Sequence, residues 1–575
     1  MKPTIVRTAA SLRSIALVVA LFVLPMQAHA QSDPERITML EPAGPFTLNP
    51  FTLADATALE IQGYVFEPLI AVDPATLQNI PWLAEELPVR SADGLHYDIT
   101  LRQGIHFSDG HALTGEDVVF TLKAIKNRHI ADAAPIREYF SNVADAELIG
   151  GDPYHIRFTV FKPTAYDAQL IGSMWVCPRH IWDPANESRN CTFLLLNSDA
   201  STGPIEHVAQ SIRDSSKGLA ARYLIGSGPY RIASTGFNQD ILLQRDSTYW
   251  NRAHPLGAVH ARSLAWHFEP DPAAAFAMLE QGTADLIALT DKVQLFEHEK
   301  ELAARGIARI DYAYPSYTFI GWQCENPLFS DARVRNALSM ALDRDTIIQQ
   351  VYHGMAHAIQ SPVLRERPEC DTTLPLIRRN QARARVLLAE AGWQDSDHDG
   401  ILDKVIKGKR IPFRFGIMVN AGNARRLGSA QMAARFFSQL GIDAQVTPVE
   451  WSVFLERQRN HDFEAFIGGW AMQEAEMDLH SIWHSASIDS GSNVVRYRNN
   501  ELDALLDSIA REPDFSRRIP LYRRAQQIIH RDQPYTFLVR ETMTALYRDR
   551  FTNVRTYALQ IPVLPAFWQI ASGGR

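Results

Sequence analysis

Residues 97–121 read YDITLRQGIHFSDGHALTGEDVVFT. His96, Asp98 and Thr100 alternate with Tyr97, Ile99 and Leu101, the two-residue period of a strand. Ser108, Asp109 and Gly110 supply turn chemistry. Thr114 with Asp117 three residues later has the form of a capping box, which predicts a helix carrying Val118, Val119 and Leu122. The same mixing continues on both sides. RITMLEP reads as a strand and ALEIQGYVFEPLI as a helix. ARYLIGSGPYRI and DILLQRDSTYW read as strands, and PAAAFAMLEQG as a helix stopped by glycine. DARVRNALSMALDRDTIIQQVYHG reads as one amphipathic helix ending at Gly354. NQARARVLLAEAGW, GSAQMAARFFSQLGI and SRRIPLYRRAQQIIHRD predict further helices. Strands and helices that interleave to this extent predict α/β lobes, not segregated all-α or all-β domains.

A chain of 575 residues is too long for a single core, so two or three domains are expected. Lys2, Arg7 and Arg13 precede the apolar run Ile15–Met26, and Ala28 and Ala30 supply small residues for cleavage after Ala30. Residues 1–30 therefore read as a secretory signal peptide. The full chain carries a net charge of −8; residues 1–30 hold three basic groups and no acid, which leaves −11 on the remainder. That balance argues against nucleic acid or an anionic membrane as partner. Four cysteines, Cys177, Cys191, Cys324 and Cys370, allow disulfides in an oxidising compartment, with Cys177–Cys191 the favoured pair and buried thiols the alternative.

No nucleophile elbow or phosphate loop occurs, and GSGPYR at 226–231 lacks the third glycine of a dinucleotide loop, so no enzymatic activity is expected. Glu476, His480 and His484 stand at i, i+4 and i+8, a spacing that would put three metal ligands on one helix face; a polar surface stripe is the plainer reading. Asp395, Asp397 and Asp399 begin like a calcium loop, but Ile406 occupies the position of the closing carboxylate, so a turn is expected, with any ion structural. No cofactor is expected. Trp322, Trp451 and Trp470 are candidate cleft residues, Trp470 most of all, because FIGGW ends a strand where loops gather ligands.

The ordered set VFEPL (65–69), residues 97–121, GSGPYRI (226–232), RDSTYW (245–250), NPLFSDARVRNALSMALDRDTI (326–347), EWSVFL (450–455), FIGGW (466–470) and YRNNELDALLDSIAREPD (497–514) resembles the family 5 extracellular solute-binding proteins. These are dipeptide, oligopeptide and nickel receptors of ABC importers. The resemblance implies an α/β fold of the periplasmic-binding-protein type II kind, cluster C, with two lobes around a cleft and an extra inserted domain. Domain I would comprise 32–72, 222–312 and 536–575, domain II 73–221 and domain III 313–535. It further implies a monomer in a Gram-negative periplasm that captures a peptide-like solute and passes it to a permease and its ATPases, with a metal chelate or other non-peptide solute as the alternative. Thr57, Gln473 and Glu474 would join the tryptophans at the ligand. In peptide receptors of this family an aspartate stands three residues after the matching tryptophan; here the residue is Gln473, which lacks the charge an ammonium favours.

Overall fold

One strand of fourteen residues, Tyr535–Arg548, serves two half-sheets. It belongs to a twelve-stranded mixed sheet in a computed structural model that describes residues 35–52, 55–198, 201–236, 240–289, 301–472, 476, 478–489, 491–559 and 561–571. The expected signal peptide lies outside these residues. In chain order the strands are β1 (Arg36–Glu41), β2 (Tyr230–Gly236), β3 (Asp240–Arg245), β4 (Ser263–Phe268), β5 (Leu286–Leu289), β6 (Ile307–Ala313), β7 (Ser316–Trp322), β8 (Ala356–Ala358), β9 (Arg414–Asn420), β10 (Asp443–Val449), β11 (Ala465–Ala471) and β12 (Tyr535–Arg548). The order β10-β9-β11-β7-β12-β5-β1-β4-β3-β2 runs across both halves, with β6 and β8 also paired to β12. β1 is parallel to β4 and β5, and β9 is parallel to β10 and β11. The fold is thus a two-lobed α/β architecture, in line with the interleaved sequence pattern.

Apolar clusters cover both half-sheets. One takes in Ile37, Met39, Trp266 and Ala545 of the first, and two others are built wholly from residues 317–539 around the second. β7 is buried from Tyr317 to Trp322, as a central strand covered on both faces should be. Between β1 and β2 the chain forms a separate four-stranded sheet, Val89–Arg90, His96–Thr100, His155–Val160 and Val143–Leu148 in spatial order. The predicted helix there is α1 of the inserted segment, Gly115–Lys126, and Asp117 accepts a hydrogen bond from Thr114 N–H at 3.0 Å as the capping box requires.

Glu67 ties three distant stretches together. Its carboxylate accepts from Trp82 Nε1 (2.7 Å), Ser227 Oγ (2.7 Å), Tyr249 OH (2.5 Å) and Trp250 Nε1 (2.9 Å). VFEPL, GSGPYRI and RDSTYW therefore meet at one buried group. Gly226 makes this possible: a Cβ there would lie 1.9 Å from the Val65 carbonyl oxygen.

Some expectations are corrected. The helix predicted up to Gly354 is two, Ala332–Ala341 and Arg344–Val351, because Asp343 caps the second by accepting from Thr346 N–H at 3.0 Å. The helix expected through VFEPL stops at Gly63. The favoured disulfide is not formed: Cys177 and Cys191 are buried free thiols, and burial pushes the Cys191 thiol up to about 11. Cys324 and Cys370 are also free.

Candidate functional site

The two half-sheets are crossed by β12 and by the link between β6 and β7, residues 314–315. Arg540 fastens the crossing. Its Nε donates to Tyr314 O and its Nη2 to Ala313 O, both at 2.9 Å, while Nη1 reaches Glu366 at 2.9 Å. Tyr314 N–H in turn donates to Glu541 O at 2.9 Å, and Arg425 pairs with the Glu541 carboxylate at 3.0 Å.

Trp470 stands beside this crossing. It occupies the C-terminal end of β11, opposite Tyr317 at the start of β7, and its Nε1 donates to Tyr535 OH at 3.3 Å. The next residues return to the crossing, where Met472 N–H donates to Pro315 O at 2.7 Å. Gly469 admits the Arg426 guanidinium, since a Cβ there would lie 2.9 Å from Nη2. Arg426 donates to Asn420 Oδ1 at 3.0 Å, and no carboxylate among the described residues pairs with it; burial lowers its pKa. An aromatic face and a desolvated cation thus share the C-terminal ends of β9 and β11, the end of an α/β sheet where ligands collect.

On the first lobe Glu41 closes β1 and Glu60 lies on the helix Ala56–Gly63, one turn beyond Thr57. Burial raises both carboxyls, Glu41 to about 7 and Glu60, which also feels the charge of Glu41, to about 8. Burial, and after it the nearby Tyr314, Glu41 and Glu60, pushes the Tyr312 phenol up to about 12. Sequence reading missed Glu41, Glu60 and Arg426, because each is ordinary in its own stretch and acquires meaning only through strands remote in sequence. An acid at the last position of an otherwise apolar strand was the one available signal for Glu41.

The other sequence candidates are dispersed. Trp322 lies at the far end of β7, fully buried against Phe329, Phe415 and Phe437, with its Nε1 donated to Thr536 Oγ1 at 3.0 Å; no solute reaches it. Trp451 begins a helix and is 50% exposed, stacked on Phe454. Thr57 is partly buried in the first turn of its helix. Gln473 and Glu474 lie outside the described residues.

The metal triad is broken up. The helix begins only at His480, and Glu476 faces elsewhere, held by Arg518 Nε and Nη2 at 2.6 Å each. His480, His484 and Asp507 do cluster, with His484 Nε2 3.5 Å and His480 Nε2 3.9 Å from Asp507 Oδ1. However, His484 Nδ1 accepts from Ala486 N–H at 3.0 Å, so the neutral ring carries its proton on Nε2 and offers no lone pair toward the cluster. Asp109, His111 and His180 also cluster, but Asp109 Oδ2 is already hydrogen-bonded to His180 Nε2 at 2.7 Å. The calcium-like stretch is a turn. Asp395 accepts from Gly400 N–H at 3.2 Å, Asp399 from Ile401 N–H at 2.8 Å, and Asp397 pairs with Arg410 at 2.7 Å. Gly400 supplies the positive φ, +88°.

The family described as bacterial extracellular solute-binding proteins, family 5, middle region, matches residues 78–490. The chain belongs to family 5. Among its relatives is the oligopeptide-binding protein AppA of Bacillus subtilis, 29% identical over 86% of this chain and 84% of that protein. The heme-binding protein A of Haemophilus influenzae is 24% identical over 85% of this chain and 84% of its own. The solved structure of Bacillus subtilis AppA in complex with a nonapeptide covers 93% of this chain and 99% of its own, with a TM-score of 0.66 and 25% identity. Family 5 membership makes the chain a solute binder of an extracellular class, and β12 and residues 314–315 are segments that cross between its half-sheets.

Proposed function

We propose that this protein captures a peptide-like solute between its lobes and delivers it to an ABC permease and ATPase pair at the inner membrane of a Gram-negative cell. The observation that carries the reading is Trp470, half-exposed at the end of β11 and packed beside the two segments that join the lobes. Relatives named for oligopeptide and dipeptide binding over most of the chain support it. The domains are those implied by the motifs: domain I at 32–72, 222–312 and 536–575, domain II at 73–221 and domain III at 313–535. The protein works in the periplasm as a monomer, without catalysis or cofactor. Trp470 lines the solute, Arg426 meets an anionic or carbonyl group, and Gln473 and Glu474 are the residues that would orient its polar ends, as the family resemblance implies. Trp322 is sealed in the core, while Trp451 follows Val449 at the same C-terminal edge of the sheet, where it remains a candidate contact. The metal-chelate alternative loses support with Glu476, which is spent on Arg518.

Closure follows from linkage: solute that contacts both lobes binds the closed form better and shifts the population toward it. Native mass spectrometry of freshly purified protein, followed by calorimetry with tri-alanine and a nonapeptide, tests the proposal. Peptide binding that disappears in Trp470→Ala is expected. A protein that carries no solute and binds neither peptide overturns it.

A further inference from the structure

Among the described residues, three hydrogen bonds between the inserted segment and the second lobe fall within residues 165–169, and one more runs from Arg367 Nη1 to Leu77 O at 3.4 Å. Ala165 N–H donates to Ala510 O at 2.9 Å, Tyr166 OH lies 2.8 Å from Tyr522 OH, and Gln169 Oε1 accepts from Glu476 N–H at 3.2 Å. The direction of the tyrosine bond is fixed. Tyr522 donates its single proton to Glu476 Oε1 at 2.9 Å, so Tyr166 must donate to Tyr522. A relay therefore runs from Tyr166 through Tyr522 to Glu476, whose charge is held by Arg518 at 2.6 Å on both oxygens.

Both walls of this joint are built independently of it. On the inserted side, buried Asp167 accepts from Thr164 N–H at 2.6 Å and Asn142 Nδ2 at 2.8 Å, which fixes the loop that presents Tyr166. On the other side, Arg518 is 4% exposed and also donates to Glu512 O at 2.6 Å. Two prebuilt walls meeting through a few hydrogen bonds lose little order on meeting, so the joint can form and break as a unit. A joint stabilised by a large apolar interface would not come apart on the timescale of solute exchange.

We propose that residues 165–169 and the Glu476–Arg518–Tyr522 clamp form a latch made when the lobes close, with Tyr166 and Gln169 acting as positioning residues that prolong the stay of captured solute. This rests on the receptor reading above. Because the latch forms after solute has entered, it affects departure and leaves entry alone. One hydrogen bond corresponds to about three- to tenfold in the equilibrium.

Hydrogen exchange of the nonapeptide-loaded full chain is compared for wild type, Tyr166→Phe and Tyr522→Phe, together with stopped-flow association and dissociation of a fluorescent nonapeptide. Tyr522→Phe is expected to raise exchange across 164–170, and Tyr166→Phe across 508–522, the far wall in each case. Nonapeptide dissociation becomes about three- to tenfold faster at unchanged association rate. Unchanged exchange on the far wall, or slower association with unchanged dissociation, overturns the latch. A wild type that takes up no nonapeptide overturns the receptor reading and the latch with it, whereas a wild type that binds nonapeptide while the variants leave far-wall exchange unchanged overturns the latch alone.

Discussion

Glu67 and Glu476 are both buried and both ringed by donors, yet their donors come from different places. All four partners of Glu67, Trp82, Ser227, Tyr249 and Trp250, belong to the first lobe and the segment inserted in it. Glu476 is held by Arg518 and Tyr522 of its own lobe and touches Gln169 of the inserted segment. The first carboxylate joins the first lobe to the segment inserted in it. The second lies at a joint that lobe motion would open to water, where its charge is easily solvated. A buried charge in one place serves folding, and in the other it serves a conformational equilibrium.

The largest effect should come from Glu67→Ala, which strands three buried donors and partly buried Trp250 and lowers the unfolding free energy by about 4 kcal/mol or more, read by urea denaturation. Glu67→Gln keeps one accepting oxygen and should lose about half as much. In neither variant should the folded fraction bind solute differently; a change in affinity there would erase the contrast between the two glutamates. Glu476→Ala leaves Arg518 without its carboxylate and should cost about 3 kcal/mol in the closed form. The loss should shrink in ligand-free protein, so the two denaturation curves, with and without nonapeptide, should move by different amounts. Trp470→Ala should weaken nonapeptide binding at least about tenfold in calorimetry, with stability changed by about 1 kcal/mol. The smallest effect concerns the first-lobe acids. Glu41 and Glu60 have folded pKa values raised above their ordinary 4.5, so the native state holds protons that the unfolded chain has released. Their contribution is complete below about pH 4.5 and is lost as pH rises through 7 to 8, so stability should fall across that window. Glu60→Gln should flatten the fall, and a wild-type stability that rises across the window would contradict the burial of these groups.

Much of the fold could be read from local chemistry. Asp271 accepts from Ala273 N–H at 2.8 Å to start the helix Pro272–Gln281, and Gly282 ends it in a left-handed conformation, as its sequence announces. The split at Asp343 was also legible, since aspartate is a preferred N-cap residue and stands inside an amphipathic run. The site was less legible. Trp322 and Trp470 sit on adjacent paired strands, but one ends in a core and the other at a lobe junction, and only the sheet order separates them. The spacing of Glu476, His480 and His484 presupposed a helix that starts one turn too late to include the glutamate. Local periodicity cannot show that a distant arginine, Arg518, will claim the acid.

The strand shared by both lobes also dictates an order of assembly. Its partners begin at residues 286, 307, 316 and 356, whereas β12 itself starts at Tyr535. A chain synthesised only as far as Gln533 holds two half-sheets, each missing the strand that completes it, and their pairing spans hundreds of residues of sequence. Contacts of that range are slow to form and arrive last. Neither half-sheet can therefore be completed before Tyr535 is made, although the separate four-stranded sheet of the inserted segment pairs only within itself. For a chain of an extracellular class, the topology itself supplies a delay before the lobes are complete.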